Sequence, residues 1–166
     1  MNSAVISPCE KYRYVLKRHI PCVLRWVHPC LFVMLNPSTA DANLNDPTIT
    51  KCIGFATRWY CTELTVVNCF AWRATDPKEL KGKRGTVPAH CHGPDNTTHV
   101  REQLEAHKYG LIVAAWGAKK EANRSPIPNM LRELPIGTVK CLVKNDDGSP
   151  KHPLYVKYDK ELEDWQ

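Results

Sequence analysis

The sequence predicts an α/β protein: a three-layer α/β/α sandwich around a central, mainly parallel four-stranded sheet, preceded by an N-terminal β hairpin. Three observations predict it: four short apolar runs, helical patterns between those runs, and an alternating polar–apolar segment before them. Continuous apolar runs of this length are typical of strands covered on both faces, and strands that alternate with helices indicate an α/β fold. No internal repeat or linker appears, so residues 1–166 are predicted to form one domain.

Six segments of the sequence have the patterns of strands. The segments "KYRYVLKRH" (11–19) and "CVLRWVH" (22–28) alternate roughly and predict a hairpin or an edge pair. The four apolar runs that predict the central strands are "LFVML" (31–35), "LTVVNCF" (64–70), "GLIVAAW" (110–116) and "GTVKCLV" (137–143).

Three helices are predicted between these runs. Asp46 is expected to cap the first, with Pro47 at its first position, where proline is favoured. Asn96 or Thr97 is expected to cap a second helix that ends near His107. Prolines break the third connection, so only a short helix over residues 129–134 is predicted there.

Composition narrows the class of protein. Hydrophobic residues make up 43% of the chain and charged residues 24%, which is typical of a soluble globular protein. No apolar run approaches the roughly 18 residues of a membrane span, and the N-terminus lacks the pattern of a signal peptide. A cytoplasmic monomer without membrane contact is therefore expected. The net charge of +6 favours polyanionic partners such as DNA only slightly.

Eight cysteines are present, and they are predicted to be reduced structural thiols because no C-x-x-C pair or secretory context accompanies them. The best metal candidate is "HCHGPDNTTH", which holds four potential ligands: His90, Cys91, His92 and His99. Its spacing matches no established zinc site, so a solvated loop is favoured and no metal or other cofactor is predicted.

Polar residues follow the predicted strands. In an α/β fold, ligands bind outside the carboxyl ends of the strands, so these ends predict a pocket. After the first run come Asn36, Pro37, Ser38 and Asp41. Asn36 suits either a turn cap or a group that orients water or substrate, and Asp41 suits either a loop cap or a carboxylate that activates water.

Asn68 lies among apolar residues, where its amide needs partners from the backbone or from a ligand, since leaving it unpaired costs about 1–3 kcal/mol. Arg73 suits either a phosphate contact or an ion pair with Asp76. His152 is either an exposed loop residue or a neutral imidazole beside a developing negative charge. The chain has no Walker A, dinucleotide-binding or G-x-S-x-G motif.

Several long segments carry a family resemblance. They are "LFVMLNPSTADANLNDPTITKCIGFATRW", "LTVVNCFAWRATDPKEL", "GPDN", "VAAWGA" and "HPLY". Through them, residues 12–157 resemble a bacterial and phage family catalogued as domain of unknown function 1643. The family name implies no activity.

A second resemblance implies one. Four segments are similar, in order, to motifs of the uracil-DNA glycosylases: "MLNPS" to the first strand-end turn, "VVNCFAWRATDP" to the strand that binds the base, "AAWGA" to a glycine turn, and "HPLY" to the H-P-S loop. The resemblance implies a uracil-DNA glycosylase-like fold with a parallel central sheet.

Roles are carried over residue by residue. The resemblance implies that Asn36 orients the attacking water, Asn68 holds the edge of the base, and His152 stabilises the leaving base, with Asp41 as a further catalytic candidate. Residues expected beside the substrate are Pro37, Ser38, Phe70, Trp72, Arg73 and Lys151; the two aromatics suit stacking on a flipped base, and the two cations suit phosphates.

The sequence departs from the glycosylase pattern in three features that bear on which base is the predicted substrate. Met34 stands in place of a glycine, Leu154 stands in place of the serine after His-Pro, and the cysteines do not match the iron–sulfur glycosylases. The leading hypothesis is therefore a glycosylase-like protein acting on a damaged or modified base, without a commitment to uracil. The alternatives are a non-catalytic nucleic-acid or nucleotide-binding module, and an enzyme acting on a free nucleoside or nucleotide.

Overall fold

A computed structural model describes residues 1–22, 28–83 and 86–166 of the chain. It has a mixed α/β architecture, so the α/β part of the predicted fold class is confirmed. The strands are β1 (Ser3–Ile6), β2 (Arg13–His19), β3 (Pro29–Met34), β4 (Glu63–Asn68), β5 (Leu111–Ala114), β6 (Val139–Cys141) and β7 (Glu163–Asp164). The helices are α1 (Pro47–Arg58), α2 (Asn96–Ala106) and α3 (Ile127–Arg132).

The strands form one seven-stranded sheet in the order β1-β2-β4-β3-β5-β6-β7, rather than a sheet of four. The pairs β4–β3, β3–β5 and β5–β6 are parallel, and the pairs β1–β2, β2–β4 and β6–β7 are antiparallel. The three additional strands lie outside the four apolar runs. Within residues 11–19, β2 pairs with β1 on one side and with β4 on the other. The other half of the predicted pair, "CVLRWVH" (22–28), lies largely in residues 23–27, outside the described part of the chain.

Two apolar cores cover the two faces of the sheet. Successive residues of β3 alternate between them: Leu31 and Val33 face the core that includes residues of α2 and α3, while Phe32 and Met34 face the core that includes residues of α1. This alternation follows from the two-residue period of a strand, and it explains why the run from 31 to 35 is apolar throughout.

Helix α1 begins as predicted. The Asp46 carboxylate accepts a hydrogen bond from the Ile49 amide at 2.8 Å, and Pro47 occupies the first turn. Helix α2 differs by one residue, because Asp95 is the residue before its first turn and makes no capping bond through its side chain.

Helix α3 begins at Ile127, two residues earlier than predicted. The prediction began the helix after Pro128 because proline breaks a helix interior. In the first turn, however, a missing amide hydrogen costs no helical bond, so Pro128 is tolerated there.

All eight cysteines are free, and six of them are buried. Burial raises the pKa of the Cys52 and Cys69 thiols well above the usual value of 9.0, so both stay protonated and unreactive at neutral pH. None of the helices among the described residues combines the length and apolar character needed to cross a membrane.

His107 follows α2 and makes stability depend on pH. Burial lowers the pKa of its imidazole, whose Nδ1 is 2.8 Å from the Gln103 carbonyl and whose Nε2 has no partner. Above about pH 6.5 the ring is neutral in both the folded and the unfolded chain. Below that value the unfolded chain binds the proton first, so we expect the free energy of unfolding to fall from pH 7.5 to 5.5.

The expected decrease is smaller in His107→Leu and unchanged in His19→Ala, since His19 is exposed. Urea unfolding at both pH values measures it. Equal pH dependence in the wild type and His107→Leu would contradict this assignment.

Candidate functional site

A cavity of about 630 Å³ lies at the carboxyl ends of the parallel strands, where ligands bind in α/β proteins. Its walls come from the ends of β3 and β4, from the segment after β5, and from the loop after β6. Its size falls within the range of small-molecule sites, about 300–1,000 Å³.

Asn68, the last residue of β4, lines this cavity and is only 1% exposed. Neither its side-chain oxygen nor its side-chain nitrogen has a hydrogen-bond partner. Of the two possibilities open at the sequence level, partners from the backbone are therefore excluded within the described chain. The amide therefore lacks both a donor and an acceptor partner, and a ligand in the cavity could supply both.

Two buried side chains fix the backbone around Asn68. Asn96 of α2 donates from Nδ2 to the Asn68 carbonyl at 3.0 Å, and the Ser125 hydroxyl donates to the Cys69 carbonyl at 2.8 Å. These two hydrogen bonds hold the backbone that carries the Asn68 side chain at the cavity wall.

His152 reaches the cavity from the loop after β6. Its Nδ1 accepts a hydrogen bond from the Leu154 amide at 3.4 Å, and burial lowers the pKa of the imidazole, so the ring is neutral at pH 7. With Nδ1 as the acceptor, Nε2 carries the proton and is available as a donor.

Gly117 permits the close approach of this loop. A Cβ atom at residue 117 would lie 3.3 Å from the His152 Cβ, and the backbone there has a φ of +80°, which favours glycine. Farther along the loop, the Tyr158 ring packs on Phe55 of α1 with ring centroids 4.8 Å apart. The Gly117 amide also donates to the Pro150 carbonyl at 2.9 Å, so the segment carrying His152 has a contact on each side.

Asn36 follows β3, lines the cavity, and connects two loops through hydrogen bonds. Its Nδ2 donates to the Pro37 carbonyl at 3.0 Å and to the Ala74 carbonyl at 2.9 Å. The turn role that the sequence left open is therefore present. Among the described residues its Oδ1 makes no hydrogen bond, so the acceptor side of the amide remains available.

Asp41 does not line the cavity. Its carboxylate accepts hydrogen bonds from the amides of Asn43 and Leu44, at 2.8 and 2.9 Å, and these bonds lower its pKa. It is the loop cap that the sequence allowed as an alternative. Asp46 is the acidic residue at the cavity wall. One of its carboxylate oxygens caps helix α1, and the other has no partner in the described chain.

The two aromatic candidates lie elsewhere. Phe70 is fully buried and packs against His92, with ring centroids 5.0 Å apart, so it is out of reach of a stacked base. Trp72 packs edge-on against Tyr12 at 5.7 Å and His90 at 4.8 Å, and it does not line the cavity. After Asn68 the chain still pairs with its neighbours, since the Phe70 amide donates to the Leu35 carbonyl at 2.9 Å and Trp72 forms a bridge with Tyr12. Neither aromatic side chain lines the cavity.

Of the two cationic candidates, one lines the cavity and the other does not. Lys151 lines the cavity, as does Ser38, whereas Pro37 is buried behind the wall. Arg73 lies outside the cavity and donates from Nη1 to the Glu10 carbonyl at 3.1 Å. Its proposed ion pair with Asp76 is also absent among the described residues.

The histidine-rich segment forms part of the aromatic packing. His99 stacks on Tyr14 with ring centroids 4.8 Å apart, and the Cys91 side chain is fully buried. No group of three potential metal ligands meets within the described ranges.

Arg13 is a cavity residue that the sequence analysis missed. It belongs to the alternating segment before the first apolar run, where an arginine on the polar face is normally solvated. Nothing local indicates that the loop after β3 covers that face. Trp116 and Lys119, which follow β5, also line the cavity; the strand-end rule pointed to that position but not to these side chains.

The comparison with protein families assigns the chain. A family model described as "Protein of unknown function (DUF1643)" matches residues 13–154. The chain belongs to the DUF1643 family. No curated protein and no solved structure matches it significantly. The family match covers every residue that lines the cavity except Tyr155, which directly follows the matched residues.

Proposed function

We propose that this DUF1643 protein binds a damaged or modified base, flipped from DNA, in the cavity and hydrolyses its N-glycosidic bond. The observation that carries the proposal is the Asn68 amide, buried at the cavity wall with both polar atoms unpaired. Leaving such a group unpaired costs about 1–3 kcal/mol, and a ligand that offers an acceptor and a donor side by side removes that cost.

The polar edge of a nucleobase offers that pair of groups. Base-flipping enzymes hold the extruded base by hydrogen bonds to its Watson–Crick edge inside a closely fitting pocket. The cavity has the volume for a nucleoside, and the apolar Met34 and Trp116 line it beside Asn68.

His152 provides the group that hydrolysis needs at the leaving base. Bond cleavage leaves negative charge on the base, and a fixed Nε2–H donor stabilises that charge without first losing a proton. Asp46 and the Oδ1 of Asn36 are the acceptors on the cavity wall that suit a water molecule attacking the sugar.

DNA as the carrier of the base is favoured by the net charge of +6 and by the cavity rim. Leu154 is 42% exposed and Tyr155 is 75% exposed, and both line the cavity entrance. Exposed apolar side chains beside a pocket suit the unstacked bases that flank an extruded nucleotide.

The proposal is tested by base release from single- and double-stranded oligonucleotides that contain uracil or another modified base, with cleavage at the resulting abasic sites as the readout. We expect release by the wild type, a loss of about 100-fold or more in His152→Ala, and no change in the exposed-site control His19→Ala.

Two results would contradict hydrolysis of DNA. Binding of DNA without base release from any substrate would favour the non-catalytic module. Affinity for free nucleosides without salt-sensitive DNA binding would favour an enzyme acting on free nucleosides or nucleotides.

A further inference from the structure

Arg13 of β2 is a buried cation with unused donors. It is 2% exposed and lines the cavity, and its Nη1 donates to the Ala40 carbonyl at 2.9 Å. Its buried Nε has no partner among the described residues. None of the ion pairs among the described residues includes it.

Arg18 of the same strand shows what a structural arginine looks like in this fold. It is equally buried, yet it donates four hydrogen bonds to the loop and strand around it. Its Nε bonds to the Asn45 side chain at 2.7 Å, and its guanidinium nitrogens bond to three carbonyls. The loop after β3 is thus held by Arg18, and Arg13 adds a single bond to that task.

A buried cation without a carboxylate partner is costly to the folded protein. Desolvation lowers the pKa of Arg13 to about 10, against the opposing effect of Asp46, so the guanidinium remains charged at neutral pH. Removing such a charge from water costs several kcal/mol unless a counter-charge compensates it.

The rest of the cavity adds positive charge. Three cationic side chains line it, Arg13, Lys119 and Lys151, against the single carboxylate of Asp46 among the described lining residues. An anion entering this cavity meets an excess of positive charge and a guanidinium that is already oriented.

We propose that the ligand of this cavity carries an oxyanion, which Arg13 binds beside the base held by Asn68. The base in this statement rests on the proposed function; the oxyanion does not. Two sources share the chemistry: a phosphate on the sugar of a nucleotide, and a carboxylate on a modified base.

Isothermal titration with three ligands tests the proposal: 2′-deoxyuridine, its 5′-monophosphate, and 5-carboxy-2′-deoxyuridine. For the wild type we expect one of the two acidic ligands to bind about tenfold or more tightly than the neutral nucleoside, as a charged hydrogen bond implies. A preference for the monophosphate assigns the oxyanion to the sugar phosphate, and a preference for the carboxylated nucleoside assigns it to the base.

Arg13→Met is expected to bring this affinity ratio close to one. Lys17→Met removes a cation from the same strand, outside the cavity, and is expected to keep the ratio. Arg13→Lys retains the charge without the guanidinium fork, so it should keep part of the ratio and serves if the methionine variant fails to fold.

The outcomes separate the two proposals. Equal wild-type affinities for all three ligands, or a ratio that survives Arg13→Met, would overturn the oxyanion site while leaving the base site intact. If no nucleoside binds, but inorganic phosphate raises the melting temperature of the wild type and not of Arg13→Met, the oxyanion site stands and the proposed function fails.

Discussion

Replacing Asn68 with leucine is expected to abolish ligand binding while increasing the stability of the free protein. Leucine has nearly the shape of asparagine, and the substitution removes two buried polar atoms that have no partners in the described chain. We expect a gain of about 1–3 kcal/mol in the free energy of unfolding, because the variant no longer buries an unpaired amide. Base release, or nucleoside affinity, should fall by 100-fold or more.

The matched control is Asn96→Leu. Asn96 is also a buried asparagine near the end of β4, but its Nδ2 donates to the carbonyls of Asn68 and Cys69. Its replacement removes that donor from the Asn68 carbonyl, while the Cys69 carbonyl keeps the Ser125 hydroxyl, and should lower the free energy of unfolding by about 1–3 kcal/mol. Urea unfolding measures both variants. If both destabilise alike, Asn68 is a structural residue and the base site loses its main support.

Arg18→Met should cause the largest loss of stability of any substitution considered. Three hydrogen bonds from one guanidinium hold the loop between β3 and α1, through the Asn45 side chain and the carbonyls of Asp41 and Leu44, and a fourth goes to the Lys17 carbonyl of β2. Methionine keeps the apolar stem but removes all four of these bonds, and the Leu44 carbonyl keeps only its bond from the Asp41 amide, at 3.2 Å. We expect a decrease of about 3–5 kcal/mol in the free energy of unfolding, as for breaking a buried charged network.

Amide hydrogen exchange measures the effect on the loop directly, and the exchange of the Asn43 and Leu44 amides should accelerate in Arg18→Met. Lys17→Met is the control on the same strand. Its ion pair with Glu63 is partly exposed and contributes about 0–1 kcal/mol. A change in Arg18→Met no larger than in Lys17→Met would show that the loop holds its shape without the arginine.

Much of the fold is predictable from local patterns. The four apolar runs correspond to β3, β4, β5 and β6, and Asp46 with Pro47 marks the first residue of α1. The edge strands are harder, because β1 and β7 are short and partly exposed, so neither has a distinctive apolar pattern. Their position depends on pairing with strands distant in the sequence.

The site is less predictable than the fold. The rule that ligands bind at strand ends brings Asn36, Asn68, Lys151 and His152 to one cavity, as the sequence suggested. It fails for Asp41 and Phe70, since the direction of a side chain after a strand depends on how the loop turns. It also cannot find Arg13, whose burial results from a loop that meets β2 only in the folded chain.

The two arginines of β2 make the cavity wall depend on contacts between segments that are distant in the sequence. Each bridges more than twenty residues to reach the loop after β3 (the Arg13 bond to Ala40 spans 27), and β4 lies between the two strands in the sheet. No fragment that begins at β3 can build this wall, although it would contain Asn36, Asn68 and His152. We therefore expect the cavity to keep its shape only in a chain that starts at or before β2.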